Sequence, residues 1–152
     1  MIFYKIVTTV FGIGYVGKGG GTIASIFYCL IWLLLPAGFS HSIWQVIITI
    51  LIIFIGVWGS NFVDAIWGKD SSKVVIDEVA GMAIVLLYVP QNYKYAIIAL
   101  ILFRFFDIIK PFGIKRLESL PKGWGVMADD VLAGIYSLAV IQILLYFKII
   151  LL

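Results

Sequence analysis

The sequence predicts an all-α integral membrane protein: a bundle of about five apolar helices with a further amino-terminal helix lying in the membrane interface. Three observations carry this. The chain is 63% hydrophobic and only 12% charged, with a mean hydropathy of +1.14, where a soluble domain is nearer half apolar and a quarter charged. Its apolar residues gather into five blocks, 23–39, 43–59, 74–90, 95–106 and 131–152. Its charges fall almost wholly between those blocks on one side of the alternation. With 152 residues, no long linker and no convincing repeat, the chain reads as a single domain, 1–152.

The amino-terminal residues Ile2, Phe3, Ile6, Val7, Val10 and Phe11 share one helical face, and Lys5, Thr8 and Thr9 the other. That pattern predicts a short helix in the membrane interface. A signal peptide fits less well, because the apolar core is broken and no A-x-A site follows. The five blocks come next. Several fall short of the roughly 20 residues of a full span, so their polar ends are expected among the headgroups, and the third and fourth as short or re-entrant.

If all five cross, one side receives the amino terminus and the loops near 60–73 and 107–130. That side holds Lys5, Lys18, Lys69, Lys73, Lys110, Lys115, Arg116 and Lys122; the other holds Lys94 and Lys148. The positive-inside rule makes the first side cytoplasmic. The acids Asp64, Asp70, Asp77, Glu78, Asp107, Glu118, Asp129 and Asp130 also fall there or at its helix ends. Insertion does not require such clustering, so it points to a site facing the cytoplasm.

Several function classes drop out. A net charge of +3 is too small and dispersed for nucleic acid. One cysteine, Cys29, permits no intrachain disulfide and no cysteine metal cluster. The stretch FGIGYVGKGGGT (11–22) contains G-x-G-x-x-G and G-x-x-x-x-G-K, but no βαβ context, and Gly19 stands where a P-loop needs Ser or Thr. Two readings of it remain open. It is a hinge before the first apolar block, or its glycine amides, Lys18 and a helix starting near Thr22 form an anion nest.

The chemistry concentrates in three stretches. In NFVDAIWGKDSSKVVIDEVAGM (61–82), Asp77 and Glu78 open an apolar helix. Dipole complementation accounts for one exposed acid at a helix start but poorly for two beside lipid. Gly81, four residues after Asp77, would let another helix approach closely. In FRFFDIIKPFGIKR (103–116), Arg104, Asp107 and Lys110 are three apart and share a helical face, and Pro111 ends the helix. A charge ladder at the membrane surface is the plain reading; phosphate contacts by Arg104 and Lys110 are the functional one, with Asp107 binding metal or orienting.

In GWGVMADDVLAG (123–134), Asp129 and Asp130 are adjacent, so their side chains diverge by about 100°. One helix cannot aim both at one ion, and the IDEVAG helix is the natural partner. Together with Asp64 and Asp107 these carboxylates make an oxygen-rich pocket suited to Mg²⁺. The lone histidine, His41, is expected on the opposite side, which argues against zinc and against a histidine nucleophile. No D-x-D-x-[TV] aspartyl-phosphate motif occurs. Carboxylates, cations and a glycine nest at a membrane surface suit a phosphorylated lipid headgroup.

VIDEVAGM, FRFFDIIKP and GWGVMADDVLAG, in this order and spacing, closely resemble the phosphatidylglycerophosphatase A family, over about residues 12–134; NFVDAIWGKD is similar to the family's segment before the acidic helix. The resemblance implies a bacterial inner-membrane, multi-pass, Mg²⁺-dependent lipid phosphatase that converts phosphatidylglycerol phosphate to phosphatidylglycerol. It implies acidic site residues Asp64, Asp77, Glu78, Asp107, Asp129 and Asp130. Metal ligation is expected of Asp64, Asp77, Glu78, Asp129 and Asp130, catalysis of Asp107, Asp129 and Asp130, and phosphate binding of Arg104, Lys110, Lys18 and Thr22.

The chain departs from the family at Gly19-Gly20-Gly21-Thr22, where A-P-G-T is usual, and at Lys110-Pro111-Phe112-Gly113-Ile114, which lacks a second proline. Both changes loosen a loop without removing a ligand type. A cation-coupled transporter or channel component is the alternative class, and a purely structural membrane subunit the third. Small residues at Ala133 and Ser137 leave packing within one chain and a homo-oligomer both open.

Overall fold

A computed structural model describes residues 2–68 and 71–150; Lys69 and Asp70, counted above to the basic side, lie outside the described residues. The described chain is all-helical. Seven α-helices follow one another: α1 (Ile2–Thr8), α2 (Gly20–Leu34), α3 (Ile43–Trp67), α4 (Ile76–Val85), α5 (Tyr93–Ile109), the single turn α6 (Ile114–Leu117) and α7 (Gly123–Tyr146). Short 3-10 turns at Ile13–Val16 and Phe39–His41 precede α2 and α3.

Each apolar block contains a helix, with shifted bounds. α3 continues eight residues beyond the apolar block, through Trp67. α4 is only 10 residues long, ending at Val85 where a turn begins. α7 starts at Gly123 rather than Val131. Among the described residues, only α3 and α7, of 25 and 24 residues, are long and apolar enough to cross a membrane. A third of each apolar window is buried inside the chain. A soluble core helix would be mostly covered, so their bare apolar faces suit lipid.

The central helix is α4, every residue of which is buried except the two acids Asp77 and Glu78, which are partly exposed. It sits between α2, α3, α5 and α7. Its crossing with α7 is close because both helices lack a side chain there: a Cβ on Gly134 would lie 2.8 Å from the Gly81 carbonyl. A Cβ on Gly81 would enter the Phe103 ring of α5. The approach expected at Gly81 is therefore present, and α7 and α5 exploit it.

The amino-terminal helix corrects one expectation. Of its expected apolar face, Ile2, Phe3, Ile6 and Phe11 are exposed, but Val10 is buried and Val7 packs against the core. The threonine face, however, is not in water. Thr8 and Thr9 are buried against the bundle, where Gly59 of α3 makes room for Thr8. Their hydroxyls tolerate this by donating to their own helix, Thr8 to the Tyr4 carbonyl at 2.8 Å and Thr9 to that of Lys5 at 2.6 Å. Stacking of Tyr4 on Phe62 and a Val75 N–H bond to the Thr8 carbonyl at 2.9 Å fasten the segment.

The chain alternates direction, so the starts of α2, α4 and α7 meet the ends of α3 and α5 at one pole. The opposite pole holds His41, Lys94 and Lys148 and is closed by the side chains of Gln45 and Gln91.

Candidate active site

The acidic pole contains a cleft of about 280 Å³. Its walls come from four places: Gly17, Lys18, Gly19 and Gly21 at the start of α2; Asp77 and Glu78 of α4; Arg104, Asp107 and Lys110 at the end of α5; and Asp129 and Asp130 of α7. Three sequence stretches read separately as chemistry-bearing are thus brought into one cavity. Asp64 and Thr22 do not line it. Asp64 lies in the last turn of α3, and Thr22 lies one position past Gly21 on α2.

Helix geometry sorts the adjacent acids of α7 as their spacing requires. They sit in its second turn, not at its mouth, because GWGVMADD is itself helical and Gly123 packs beneath the Val57 carbonyl of α3. Asp130 turns toward α4, where one carboxylate oxygen each from Asp77, Glu78 and Asp130 lie within 4.8 Å of one another. Asp129 turns away to Lys110, whose Nζ is 2.5 Å from its Oδ2.

The two cations are held by acids rather than left open. Lys110 also donates to Glu118 at 2.7 Å. Partial burial pulls the Lys110 amine down, but the hydrogen bonds and charges of Asp129 and Glu118 outweigh it and hold its pKa above the ordinary lysine value. Arg104 pairs with Asp107 at 2.5 Å and comes within 3.9 Å of Glu78. Its Nε has no acceptor among the described residues. A left-handed Lys110 (φ 48°) ends α5 before Pro111 and turns the amine back across the cleft.

Burial makes the acids expensive unless something offsets their charge. Asp77 Oδ1, Glu78 Oε2 and Asp129 Oδ1 are buried and make no hydrogen bond among the described residues. Three clustered oxygen donors and unsatisfied buried carboxylate oxygens are the donor set that a hard divalent cation requires. Asp77, Glu78 and Asp130 fit such an ion. The close approach of α2 reinforces this. A Cβ on Gly21 would fall on Glu78 Oε1, so glycine lets the α2 start reach the acids with the Glu78 carboxylate where it stands. The nest and hinge readings of the glycine loop also meet here: Gly17 and Gly19 adopt φ of 81° and 103° and put Lys18 on the cleft wall.

Some cleft residues carry no signal of their own in the sequence. Ser71, Ser72 and Val126 line the cavity. The pair Ser71-Ser72 was visible only as the polar stretch before the acidic helix. Glu118 was an acid without a role; its contact with Lys110 spans a turn and α6, where no helical spacing applies.

Comparison with known proteins gives the cleft a context. The model of the phosphatidylglycerophosphatase A family matches residues 6–145. A Bacteroides thetaiotaomicron protein, named as a proposed phosphatidylinositol-3-phosphatase, is 44% identical over 131 residues, 84% of this chain and 81% of the relative. A phosphatidylglycerophosphatase A of Haemophilus influenzae is 35% identical over 90% of this chain and 85% of its own. One of Escherichia coli is 29% identical over 80% and 69% respectively. No solved structure matches the chain. A family match running from α1 nearly to the end of α7 takes in every wall of the acidic cleft, and the chain belongs to the phosphatidylglycerophosphatase A family of membrane-associated bacterial lipid phosphatases.

Proposed function

We propose that this chain hydrolyses the terminal phosphomonoester of phosphatidylglycerol phosphate, giving phosphatidylglycerol and inorganic phosphate in phospholipid biosynthesis, and that it requires Mg²⁺. The observation that carries the reading is the carboxylate trio Asp77, Glu78 and Asp130, with oxygens within 4.8 Å of one another at the base of a cleft that also presents Arg104 and Lys110. When bound, Mg²⁺ would lower the pKa of a water and neutralise phosphate oxygens.

The chain's own residues supply the rest. Asp77, Glu78 and Asp130 would hold the ion. Asp107 fixes Arg104, and Asp129 with Glu118 fixes Lys110, so both cations are preorganised on one wall before the phosphate arrives. Asp129 Oδ1 has no hydrogen-bond partner among the described residues, and this oxygen accepts the water proton. Attack by water forms the new bond to phosphorus and breaks the one between phosphorus and the glycerol oxygen, which leaves with the proton that Asp129 took. An aspartate attacking phosphorus directly is the variant, and Asp107 and Asp129 are then the cleft aspartates outside the trio.

The cleft faces the cytoplasm in this reading, in a multi-pass protein of the bacterial inner membrane. Lys5, Lys18, Lys73, Lys110, Lys115, Arg116 and Lys122 belong to the cleft pole, against Lys94 and Lys148 at the other, as the positive-inside rule asks.

A second substrate is favoured by a specific observation. The 44% identical relative is named for phosphatidylinositol 3-phosphate, not phosphatidylglycerol phosphate. Both are phosphomonoesters on a lipid headgroup, and the same cleft chemistry serves either. The transport reading finds less support. The buried hydroxyls of Ser25, Thr49 and Ser137 bond back to their own helices and form no polar column away from the cleft.

The test is phosphate release by purified protein from phosphatidylglycerol phosphate, phosphatidylinositol 3-phosphate and phosphatidic acid, with Mg²⁺ and then EDTA. Metal-dependent release, fastest from phosphatidylglycerol phosphate, is expected. Preference for the inositol lipid would move the substrate and keep the mechanism. Folded protein that releases no phosphate from any of the three would end the phosphatase reading for this chain.

A further inference from the structure

Outside the cleft, the bundle carries apolar grooves, and one of them lies between two helices that also wall the cleft. Between α2 and α5 a groove is lined by Ile26, Cys29, Leu30, Leu33, Tyr93, Ala96, Ile97 and Leu100, with no polar surface. On α5, Tyr93, Ile97 and Leu100 are followed at the same helical spacing by Arg104 and Asp107. Steps of 4, 3, 4 and 3 residues keep all five on one face, so a single stripe passes from apolar wall to cleft wall. On α2 the same holds in reverse. Leu33, Cys29 and Ile26 lead at 4 and 3 residues back to Thr22, beside the cleft residues Gly21 and Gly19. The seven steps from Tyr93 to Leu100 give the groove about 10 Å of length along the axis.

A second groove, between α2 and α3, is bounded by Ile76 and Val79 of α4 and roofed by Val7, Val10 and Phe11. Neither groove shares a lining residue with the cleft. The α2–α5 groove is set apart by its stripe on α5, which reaches the cleft cation Arg104 one turn beyond Leu100, and it is open to the side through exposed Leu30 and Ile97.

We infer that the α2–α5 groove holds one acyl chain of the phospholipid whose phosphorylated headgroup occupies the cleft, and that Thr22, predicted as a phosphate contact, sits at the junction of chain and headgroup. The inference rests on the lipid phosphatase reading above and adds the position from which the substrate enters: laterally, between two helices, from the bilayer.

Two measurements test it. The first uses Ile97→Trp and Leu30→Trp, which enlarge exposed groove walls, and compares kcat/KM for a long-chain substrate with that for its dihexanoyl counterpart. Displacing about two buried methylenes predicts a fall in the long-to-short ratio of about tenfold. A preserved ratio overturns the groove, even if a damaged fold lowers both rates together. The second needs no turnover. Phosphatidylglycerol phosphate bearing a diazirine in its acyl chain is photolysed with the wild-type chain, and the adducts are mapped. Adducts concentrated on α2 and α5, relative to a diazirine phosphatidylcholine control, support the groove. The same adduct pattern from both lipids overturns it. If the wild type hydrolyses no lipid but labels in the groove, the phosphatase reading fails and the groove stands.

Discussion

The two poles of this bundle bury polar groups by opposite rules. At the far pole, Trp32 and Gln45 are fully buried and every group is answered. The indole N–H donates to Gln45 Oε1 at 3.2 Å, and Gln45 Nε2 donates to the Ala83 carbonyl at 3.4 Å. Gln91 caps the end of α2 by donating to the carbonyls of Trp32 and Leu35 and accepts from the Phe39 N–H. At the cleft pole, three carboxylates converge on one another, and three buried carboxylate oxygens of Asp77, Glu78 and Asp129 have no partner among the described residues. A chain able to satisfy buried amides this completely has not failed at the acids by accident. The far pole is built for stability, and the cleft pole gives up stability so that something else can bind.

The largest effect that sharpens this contrast is at Asp130. Asp130→Asn removes one of three converging charges, and phosphate release should fall by more than about 100-fold. In EDTA the same variant should unfold at higher temperature than the wild type, by ~1 kcal/mol, because a like-charge repulsion is gone. A variant that is inactive and also less stable in EDTA would show that Asp130 is structural.

Next is the glycine that admits α2. Gly21→Ala puts a methyl on Glu78 Oε1, so the helix start or the acid must shift. Turnover should drop about 10–100-fold, since displacements of about 1 Å at a reacting site cost this much. Unchanged kinetics would mean that Glu78 has no fixed position to lose.

At the far pole the expected loss is of stability, not chemistry. Gln45→Leu strands the Trp32 indole N–H and should cost about 1–3 kcal/mol in unfolding measurements, with turnover per folded molecule retained. If activity fell with stability intact, the two poles would not be independent.

The smallest effect concerns pH. Lys110 is held above its ordinary pKa by Asp129 and Glu118, against partial burial. A raised folded-state value stabilises fully below the unfolded lysine pKa, ~10.4, and is lost only as pH climbs through the folded value. The stability difference between wild type and Lys110→Met should therefore stay flat from about pH 6 to about pH 9. A slope within that window, followed by thermal unfolding, would place another titrating group on the pair.

Much of this was legible before any coordinates. A composition of 63% hydrophobic residues in long unbroken blocks points to helices, because backbone groups in an apolar setting must pair within the protein and a barrel would show alternation. The 100° rotation between neighbours meant that Asp129 and Asp130 had to part company, and they do. The three-residue ladder from Arg104 to Lys110 put both cations on one wall, and Gly81 marked a close helix crossing. These are local properties, carried by spacing along one helix.

What the sequence left undecided is what depends on separate elements meeting. Spacing could not say that Glu118 would reach Lys110 across α6, that Asp64 would lie off the cleft while Ser71 and Ser72 line it, or that Thr8 and Thr9 would be buried against Gly59. Nor could it choose which of Asp129 and Asp130 joins Asp77 and Glu78. Side-chain direction within a helix follows from the period of 3.6, but the helix's rotation against its neighbours is set by packing. Here Gly81, Gly134 and Gly123 set that rotation, by letting α7 seat closely against α4 and α3.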